Sequence, residues 1–197
     1  MRVYLVRHGQ SHENTADLRR ALSLAQFREV LAESQQSALT PLGVEQAHHA
    51  AERLVSLDVT HLYASPYLRA QQTATIIGAR LGLPVITVAE LHEVNPLIPP
   101  VLRRNRLRSL RSMYLRGYLH QMWPHRLASG ETWWQARRRV ATVWRTLNAE
   151  WRPRDVPVLV AHRAFIWTTL RYLDRLPGWH VIRRELDNAG ISEVQQI

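Results

Sequence analysis

Val3-Tyr4-Leu5-Val6-Arg7-His8-Gly9 is the stretch from which the rest of the chain is read. Val3 to Val6 is a short apolar run rich in β-branched residues, and it stops abruptly at Arg7-His8-Gly9. Such a run reads as a buried strand opening into a loop. The same grammar recurs downstream. Leu62-Tyr63-Ala64 is a second short strand, followed closely by Ser65 and Arg69. Val85 to Val88 is a third. Val156 to Ala161 is the most apolar, and His162 follows it directly. Val181 to Leu186 and Ile191 to Val194 read as two last strands around an Asp187-Asn188-Ala189-Gly190 turn.

Helical periods fill the gaps between these strands. A helix is expected over Glu13 to Gln36, with Leu18, Leu22 and Ala25 along one face. Thr40-Pro41 supplies an N-cap followed by a first-turn proline, so a helix should run to about Ser56 with Ala47, Ala50, Ala51 and Leu54 inward. Ser65-Pro66 repeats that signal for a helix to Leu81, which Gly82 and Pro84 end. Asn95 to Pro100 reads as a loop, and residues 101 to 123 have a helical period. Ser129-Gly130-Glu131 should open a long helix to about Trp151, and Phe165 to Leu173 should form another. Strands alternating with helices imply βαβ units and an α/β fold. The expectation is one doubly wound, largely parallel sheet flanked by helices, in a single domain over residues 1–197. A helical cap insertion at about 94–128 is the one shift in composition.

The chain has 197 residues and a formal net charge of +10, and all its basic side chains other than histidine are arginine. A domain this long buries roughly 70% of the surface its unfolded chain exposes, so its core needs no covalent staples. With no cysteine, disulfides, thiolate metal sites and cysteine nucleophiles are excluded. The apolar run at the N-terminus is too short for a signal peptide, and no window approaches a membrane span. A soluble, cytoplasmic protein is therefore expected. Arginine in place of lysine reads first as codon bias and second as a fit of the planar guanidinium to phosphate, and both can hold. The positive charge favours anionic ligands without saying which.

Three separate strand ends deliver Arg7-His8, Ser65 with Arg69, and His162. In open α/β sheets ligands bind beyond the carboxyl ends of the strands, so two arginines and two histidines should share one crevice. A phosphate dianion is the ligand that such a set, together with a helix N-terminus, would hold.

The residues also resemble a known family. Arg7-His8-Gly9-Gln10-Ser11 with Asn14 is similar to the signature of the histidine phosphatase superfamily, the phosphoglycerate mutase-like proteins. Further blocks follow in that family's order and cover nearly the whole chain. They are Leu39-Thr40-Pro41-Leu42-Gly43 with Gln46-Ala47, Ala64-Ser65-Pro66-Tyr67-Leu68-Arg69-Ala70 with Thr73-Ala74, Leu91-His92-Glu93, Ser129-Gly130-Glu131, Val160-Ala161-His162 and Asp187-Asn188-Ala189. The resemblance implies that His8 is a nucleophile forming a phosphohistidine, and that Arg7, Arg69 and His162 bind the transferred phosphate. Asn14, Ser11 and loop N–H groups would add donors, and Glu93 would be the general acid and base. No metal or cofactor is expected: the arginines carry the charge, and the ten histidines show no metal-binding spacing. His48-His49 read simply as helix-surface residues.

Two departures from the family pattern stand out. The family usually has Gly after the second histidine, where this chain has Arg163-Ala164, so Arg163 either adds a guanidinium to the phosphate site or covers its rim. The outward placement is the one expected. The stretch after Glu93 is Val94-Asn95-Pro96-Leu97-Ile98-Pro99-Pro100, unlike the family's, which keeps Glu90 as an alternative acid. Glu131 is expected to be a first-turn partner of its helix dipole. The segment with Arg103, Arg104, Arg106, Arg108, Arg111, Arg116 and Arg126, interleaved with Tyr114, Tyr118 and Trp123, reads as a solvated amphipathic helix, as a cap that selects the leaving group, or as a nucleic-acid patch, in that order. Three functions are open: a phosphomonoesterase on a small phosphorylated substrate, which is favoured, a phosphoglycerate mutase-type phosphotransferase, and a non-catalytic binder of phosphorylated ligands. Nucleic acid and membrane partners are not expected, and the oligomeric state, a homodimer included, is open.

Overall fold

A computed structural model describes residues 1–96, 107–122 and 130–197. In chain order the elements are β1 (Arg2–Arg7), β2 (Ala21–Leu22), α1 (Leu24–Glu33), α2 (Pro41–Leu54), β3 (His61–Ala64), α3 (Leu68–Leu81), β4 (Val85–Thr87), β5 (Arg108–Ser109), α4 (Leu110–His120), α5 (Trp133–Glu150), β6 (Pro157–Ala161), α6 (Arg163–Leu173), β7 (Trp179–Arg183) and β8 (Ile191–Gln196). Six strands form one sheet in the order β4-β3-β6-β1-β8-β7, and β2 pairs with β5 in a small second one. The neighbours β4, β3, β6 and β1 are mutually parallel. β8 runs antiparallel to both β1 and β7. The sheet is therefore largely parallel, as its alternating strands and helices imply.

Both faces of the sheet are covered, which is why Val3 to Val6 of β1 and the whole of β6 are buried and do not alternate. Val3 and Leu5 of β1 join Val140, Trp144 and Leu147 of α5 and Phe165, Ile166 and Leu170 of α6 in one core. Tyr4 and Val6 turn the other way, onto Ala50, Ala51 and Leu54 of α2 and Ala70, Ala74 and Ile77 of α3. Pairing Arg7 with Ala161 and Ala64 with both Val160 and Thr87 aligns four strand ends along one edge. That edge carries His8, Ser65, Val88 and His162. No described helix is long and apolar enough to cross a membrane.

Several boundaries differ from the sequence expectation. No helix spans Glu13 to Gln36. Residues His12–Thr15 form a single 3₁₀ turn, Ala21–Leu22 a strand, and α1 begins at Leu24, where Ser23 and Gln26 make a reciprocal capping box. Leu18 is exposed rather than on an inward face. α3 starts at Leu68 rather than Pro66, because the Ser65 hydroxyl is engaged with His162 Nε2 at 2.7 Å instead of capping a helix. Within 101 to 123 the described part is a strand pairing with β2 and then α4. α5 is capped by Thr132, not by Ser129, and α6 begins at Arg163. The last two strands sit at Trp179–Arg183 and Ile191–Gln196. Arg103, Arg104, Arg106, Trp123, Arg126 and Ser129 lie outside the described residues.

The His8 loop is pinned from behind by α2. Gln10 N donates to Gln46 Oε1 at 2.8 Å, Thr40 N donates to the Gln10 carbonyl at 2.9 Å, and the Thr40 hydroxyl donates to Gln10 Oε1 at 2.8 Å. Two glycines allow this approach: a Cβ on Gly9 would collide with the Gly43 carbonyl, and one on Gly43 with the Gln10 carbonyl. Both obstacles are backbone and cannot rotate away. Gly43→Ala is expected to cost about 1–3 kcal/mol of unfolding free energy, the usual penalty of overpacking. It should also lower activity by displacing the loop that carries His8. Urea unfolding together with turnover checks this, and unaltered values for both would refute the tight packing.

Candidate active site

A cavity of about 1150 Å³ opens over the strand ends, and Arg7, His8, Glu13, Asn14, Arg69 and Glu93 are among its lining residues. Loops after β1 and β4 and the start of α3 place these side chains, as the alignment of the strand ends requires.

His8 is 3% exposed. Its Nδ1 lies 2.7 Å from the Gly9 carbonyl oxygen, which can only accept a hydrogen bond, so Nδ1 carries the proton. Arg69 Nε–H, which can only donate, points at His8 Nε2 at 3.0 Å. Both partners thus select the same tautomer, with a lone pair on Nε2. Burial and then the Arg69 charge hold the imidazole well below its ordinary pKa of 6.5, with Arg7 adding to the effect; the Gly9 hydrogen bond opposes them. His8 is neutral at neutral pH.

Arg69, itself 3% exposed, is held from the opposite side. Its Nη1 donates to the Ser34 carbonyl at 2.5 Å and pairs with Glu13 Oε2 at 3.1 Å. Glu13 also accepts from the Ser34 hydroxyl at 2.7 Å. Thr73 accepts from Gly9 N at 3.1 Å and donates to the Arg69 carbonyl at 2.8 Å, tying the first turn of α3 to the His8 loop. Arg7 Nη1 donates to the Leu186 carbonyl at 2.9 Å, and Arg7 Nε is buried without a partner among the described residues.

His162 is fully buried, its ring 5.1 Å from that of His8 and 4.9 Å from that of Tyr67. Nε2 is engaged by Ser65, while Nδ1 is buried and without a hydrogen-bond partner among the described residues. Burial and the neighbouring His8 and Arg69 hold this imidazole well below 6.5 as well.

Glu93 sits at the start of α6. Its Oε1 accepts from Val94 N at 2.8 Å and Phe165 N at 3.2 Å, and its Oε2 from Ala164 N at 3.5 Å. Burial raises its pKa above the ordinary carboxylate value. The Val94 N–H, the Arg69 charge and the α6 N–H donors offset part of that rise. Glu93 is positioned by a clamp. Arg139 is paired with Glu131 through Nη2–Oε2 at 2.6 Å and Nε–Oε1 at 2.9 Å, and its Nη1 donates to the carbonyls of Glu90 and His92. Glu131 therefore serves Arg139; it precedes α5 and is not a first-turn dipole partner.

The structure gathers Arg7, His8, Asn14, Arg69, Glu93 and Arg163 around the one cavity. Arg163 is exposed at its rim. Ser11 is not on the cavity wall: it is buried, and its hydroxyl and N–H both donate to Asn14 Oδ1, at 3.2 and 3.1 Å. The Glu90 side chain is exposed and away from the cavity. His48 and His49 are exposed on α2. Asn188 lines a separate cavity beside α2. Glu13, Ser65 and Thr73 as an orienting set are what sequence reasoning misses. Ser65 and Thr73 stand in quoted motifs, but nothing in sequence spacing pairs Glu13 with Arg69. Among the described residues no cluster of three or more His, Asp or Glu could hold a metal ion.

The two neutral histidines have a consequence for stability. Their folded pKa values lie below 6.5, so under that pH the unfolded chain binds more protons. Stability is present above about 6.5 and is lost as pH falls below it. In His8→Asn the acid-side slope of unfolding free energy against pH should be shallower, by up to about 1.4 kcal/mol per pH unit, the worth of one proton. Chemical denaturation between pH 7.5 and 5 measures it; an unchanged slope would mean that folded His8 is already protonated.

Comparison with known proteins places the chain in a family. The family profile of the histidine phosphatase superfamily (branch 1) matches residues 3–196. A probable phosphoglycerate mutase, GpmB, of Yersinia pestis (strain Pestoides F) is 30% identical over 197 residues, covering 98% of this chain and 84% of the relative. Among solved structures, a putative alpha-ribazole-5'-P phosphatase of Escherichia coli K-12 superposes with a TM-score of 0.65 at 22% identity, over 90% of this chain and 81% of that one. A mycobacterial glucosyl-3-phosphoglycerate phosphatase complexed with VO3 gives 0.65 at 22% identity, over 98% and 90%. The structural likenesses show the fold alone; the profile match and the Yersinia relative establish that this chain belongs to the histidine phosphatase superfamily (branch 1).

Proposed function

We propose that the protein is a phosphomonoesterase that hydrolyses a small phosphorylated metabolite through a phosphohistidine at His8. The observation that carries this reading is the tautomer of His8: Nδ1 donates to the Gly9 carbonyl, and the Nε2 lone pair stands at the base of an arginine-lined cavity. An imidazole so buried and so close to Arg69 stays unprotonated, which a nucleophile requires.

The steps follow from the groups present. A substrate phosphate takes over the Arg69 Nε–H, releasing the His8 lone pair. Arg7 Nε and His162 Nδ1, buried and unpartnered among the described residues, supply further contacts to the phosphoryl oxygens. His8 Nε2 attacks phosphorus in line as the bond to the alcohol oxygen breaks, and protonated Glu93 gives that oxygen its proton. Water then attacks the phosphohistidine, Glu93 recovers a proton from it, the N–P bond breaks, and phosphate leaves. Charge on the transferring group is met by guanidinium groups, so no metal enters, and turnover should survive EDTA.

The alternative of phosphotransfer back to a bound phosphoglycerate is favoured by the name of the Yersinia relative. Incubation with 3-phosphoglycerate, with and without 2,3-bisphosphoglycerate, separates the two, since a mutase interconverts phosphoglycerates while a phosphatase releases inorganic phosphate.

Two measurements test the mechanism. His8→Ala should abolish turnover with the fold intact, and acid quench of labelled substrate should trap phosphate on His8 in the wild type. Label on no histidine in an active protein would remove the nucleophile. Glu93→Gln should slow turnover by roughly 10²–10⁴-fold on alkyl phosphates and far less on p-nitrophenyl phosphate, whose leaving group needs no proton. Activity should also fall as pH drops through the lowered His8 pKa and as it rises through the raised Glu93 pKa, and Glu93→Gln should lose the alkaline limb. Equal losses on both leaving groups, with that limb retained, would make Glu93 structural.

A further inference from the structure

The cavity over His8 is far larger than a phosphate needs, at about 1150 Å³, and its walls divide by chemistry. The phosphate end holds Arg7, His8 and Arg69, with Arg163 close enough to Arg7 to lower its pKa. Away from that end the lining is mostly apolar, with Leu18, Leu115, Tyr118, Met122, Trp133 and Trp167 beside the polar side chains of Asn95, Arg111 and Gln121. Scattered exposed apolar side chains are ordinary on a protein surface. Here Leu115 at 57%, Met122 at 65%, Tyr118 at 42% and Trp167 at 36% exposure open into a single cavity. A concave apolar surface joined to a few convergent polar groups is the usual form of a small-molecule site.

The aromatic members are held by secondary structure. Trp133 begins α5 and Trp167 lies in α6, with ring centroids 4.9 Å apart. The Arg171 guanidinium lies 4.8 Å from the Trp167 ring centroid, a cation–π contact that steadies the indole. Tyr114 and Tyr118 of α4 lie nearly parallel, 6.4 Å apart and 19° from coplanar. Flat walls of this kind suit a flat apolar guest, since aromatic pairs gain beyond their area burial. Glu13 lines the same cavity but is paired with Arg69 at 3.1 Å, and Arg111 lines it too, so the preference for an uncharged guest rests on the apolar and aromatic side chains.

We propose that this wall is a leaving-group site and that the substrate is a phosphate monoester of an alcohol bearing an uncharged aromatic ring, in preference to a short phosphorylated acid. The proposal rests on the phosphomonoesterase reading above.

Phosphate release from ethyl phosphate, 2-phenylethyl phosphate and 3-phosphoglycerate tests it, with calorimetric binding of the same three compounds to His8→Ala. The phenylethyl ester should lead ethyl phosphate by about 10- to 100-fold in kcat/KM and in affinity, the worth of burying one ring, and it should lead 3-phosphoglycerate too. Trp167→Ala should shrink the phenylethyl-to-ethyl ratio at least fivefold. Tyr118→Ala, on a different helix, should do so as well and serves if the tryptophan variant does not fold. A ratio near one, a ratio unmoved by the variants, or a lead for 3-phosphoglycerate overturns the aromatic site while leaving the phosphatase reading intact. Absence of phosphate release from all three esters removes that reading instead, and the affinity ratio in His8→Ala still decides the ring preference.

Discussion

The 2.7 Å hydrogen bond from His8 Nδ1 to the Gly9 carbonyl leaves Nε2 as the only acceptor on the ring, and Arg69 Nε–H occupies it at 3.0 Å. An imidazole free to rotate or to exchange tautomers would present its lone pair to the cavity only part of the time. The backbone carbonyl of the very next residue is a partner that cannot drift, and its loop is fixed in turn by β1 pairing with β6, through His8 N to the Ala161 carbonyl at 3.0 Å. A neutral buried histidine beside a buried arginine costs stability at acid pH, and the fold sustains that cost with a core packed on both faces of the sheet.

Seen from His8, the sequence blocks that resemble the family are mostly supports. Gly43 lets the start of α2 touch the backbone of the loop, and Gln46 binds its Gln10 N–H. Thr73 joins Gly9 to Arg69, and Ser65 orients His162. The Glu131–Arg139 pair reaches the backbone carbonyls just before Glu93. Few of these residues would touch a substrate. They set the position of those that do, and small displacements of a reacting group carry large losses of rate.

The sheet was legible because burial on both faces leaves a plain mark: uninterrupted apolar runs that end in polar residues. α2 was legible because the Thr40 hydroxyl still caps its own helix, accepting from Gly43 N at 3.1 Å while it donates to the distant Gln10. Where a distant partner took the capping role itself away, the local signal misled. Ser65 looks like a helix cap, but its hydroxyl goes to a histidine 97 positions away. The helix expected from Glu13 was over-extended because the capping box at Ser23 and Gln26 marks a later start. Residues 12–22 there make a turn and an edge that pairs with β5. The conjunction of Arg7, His8, Arg69 and Glu93 could be read from strand ends and motif order. The Glu13–Arg69 pair could not, since no periodicity links a loop after β1 to the first turn of α3.

The same geometry explains how an arginine stands at position 163, where the family usually has glycine. Glycine is needed where a Cβ would bar a close backbone approach or where φ is positive. Arg163 has neither requirement: it is the first residue of α6, and the non-glycine residues with positive φ among those described are Asp58 and Ala189. The N–H groups of Ala164 and Phe165, which a helix N-terminus could offer to phosphate, are directed to Glu93 instead. They act there as a counterweight. Burial drives the Glu93 carboxyl up, and the Val94 N–H, the Arg69 charge and the helix N–H donors draw it part of the way back, leaving it raised. In the proposed mechanism Glu93 releases a proton in one step and recovers it in the next, which calls for such a balance. With the Ala164 and Phe165 N–H groups committed to Glu93, a side chain at 163 displaces no backbone donor that the proposed phosphate binding uses.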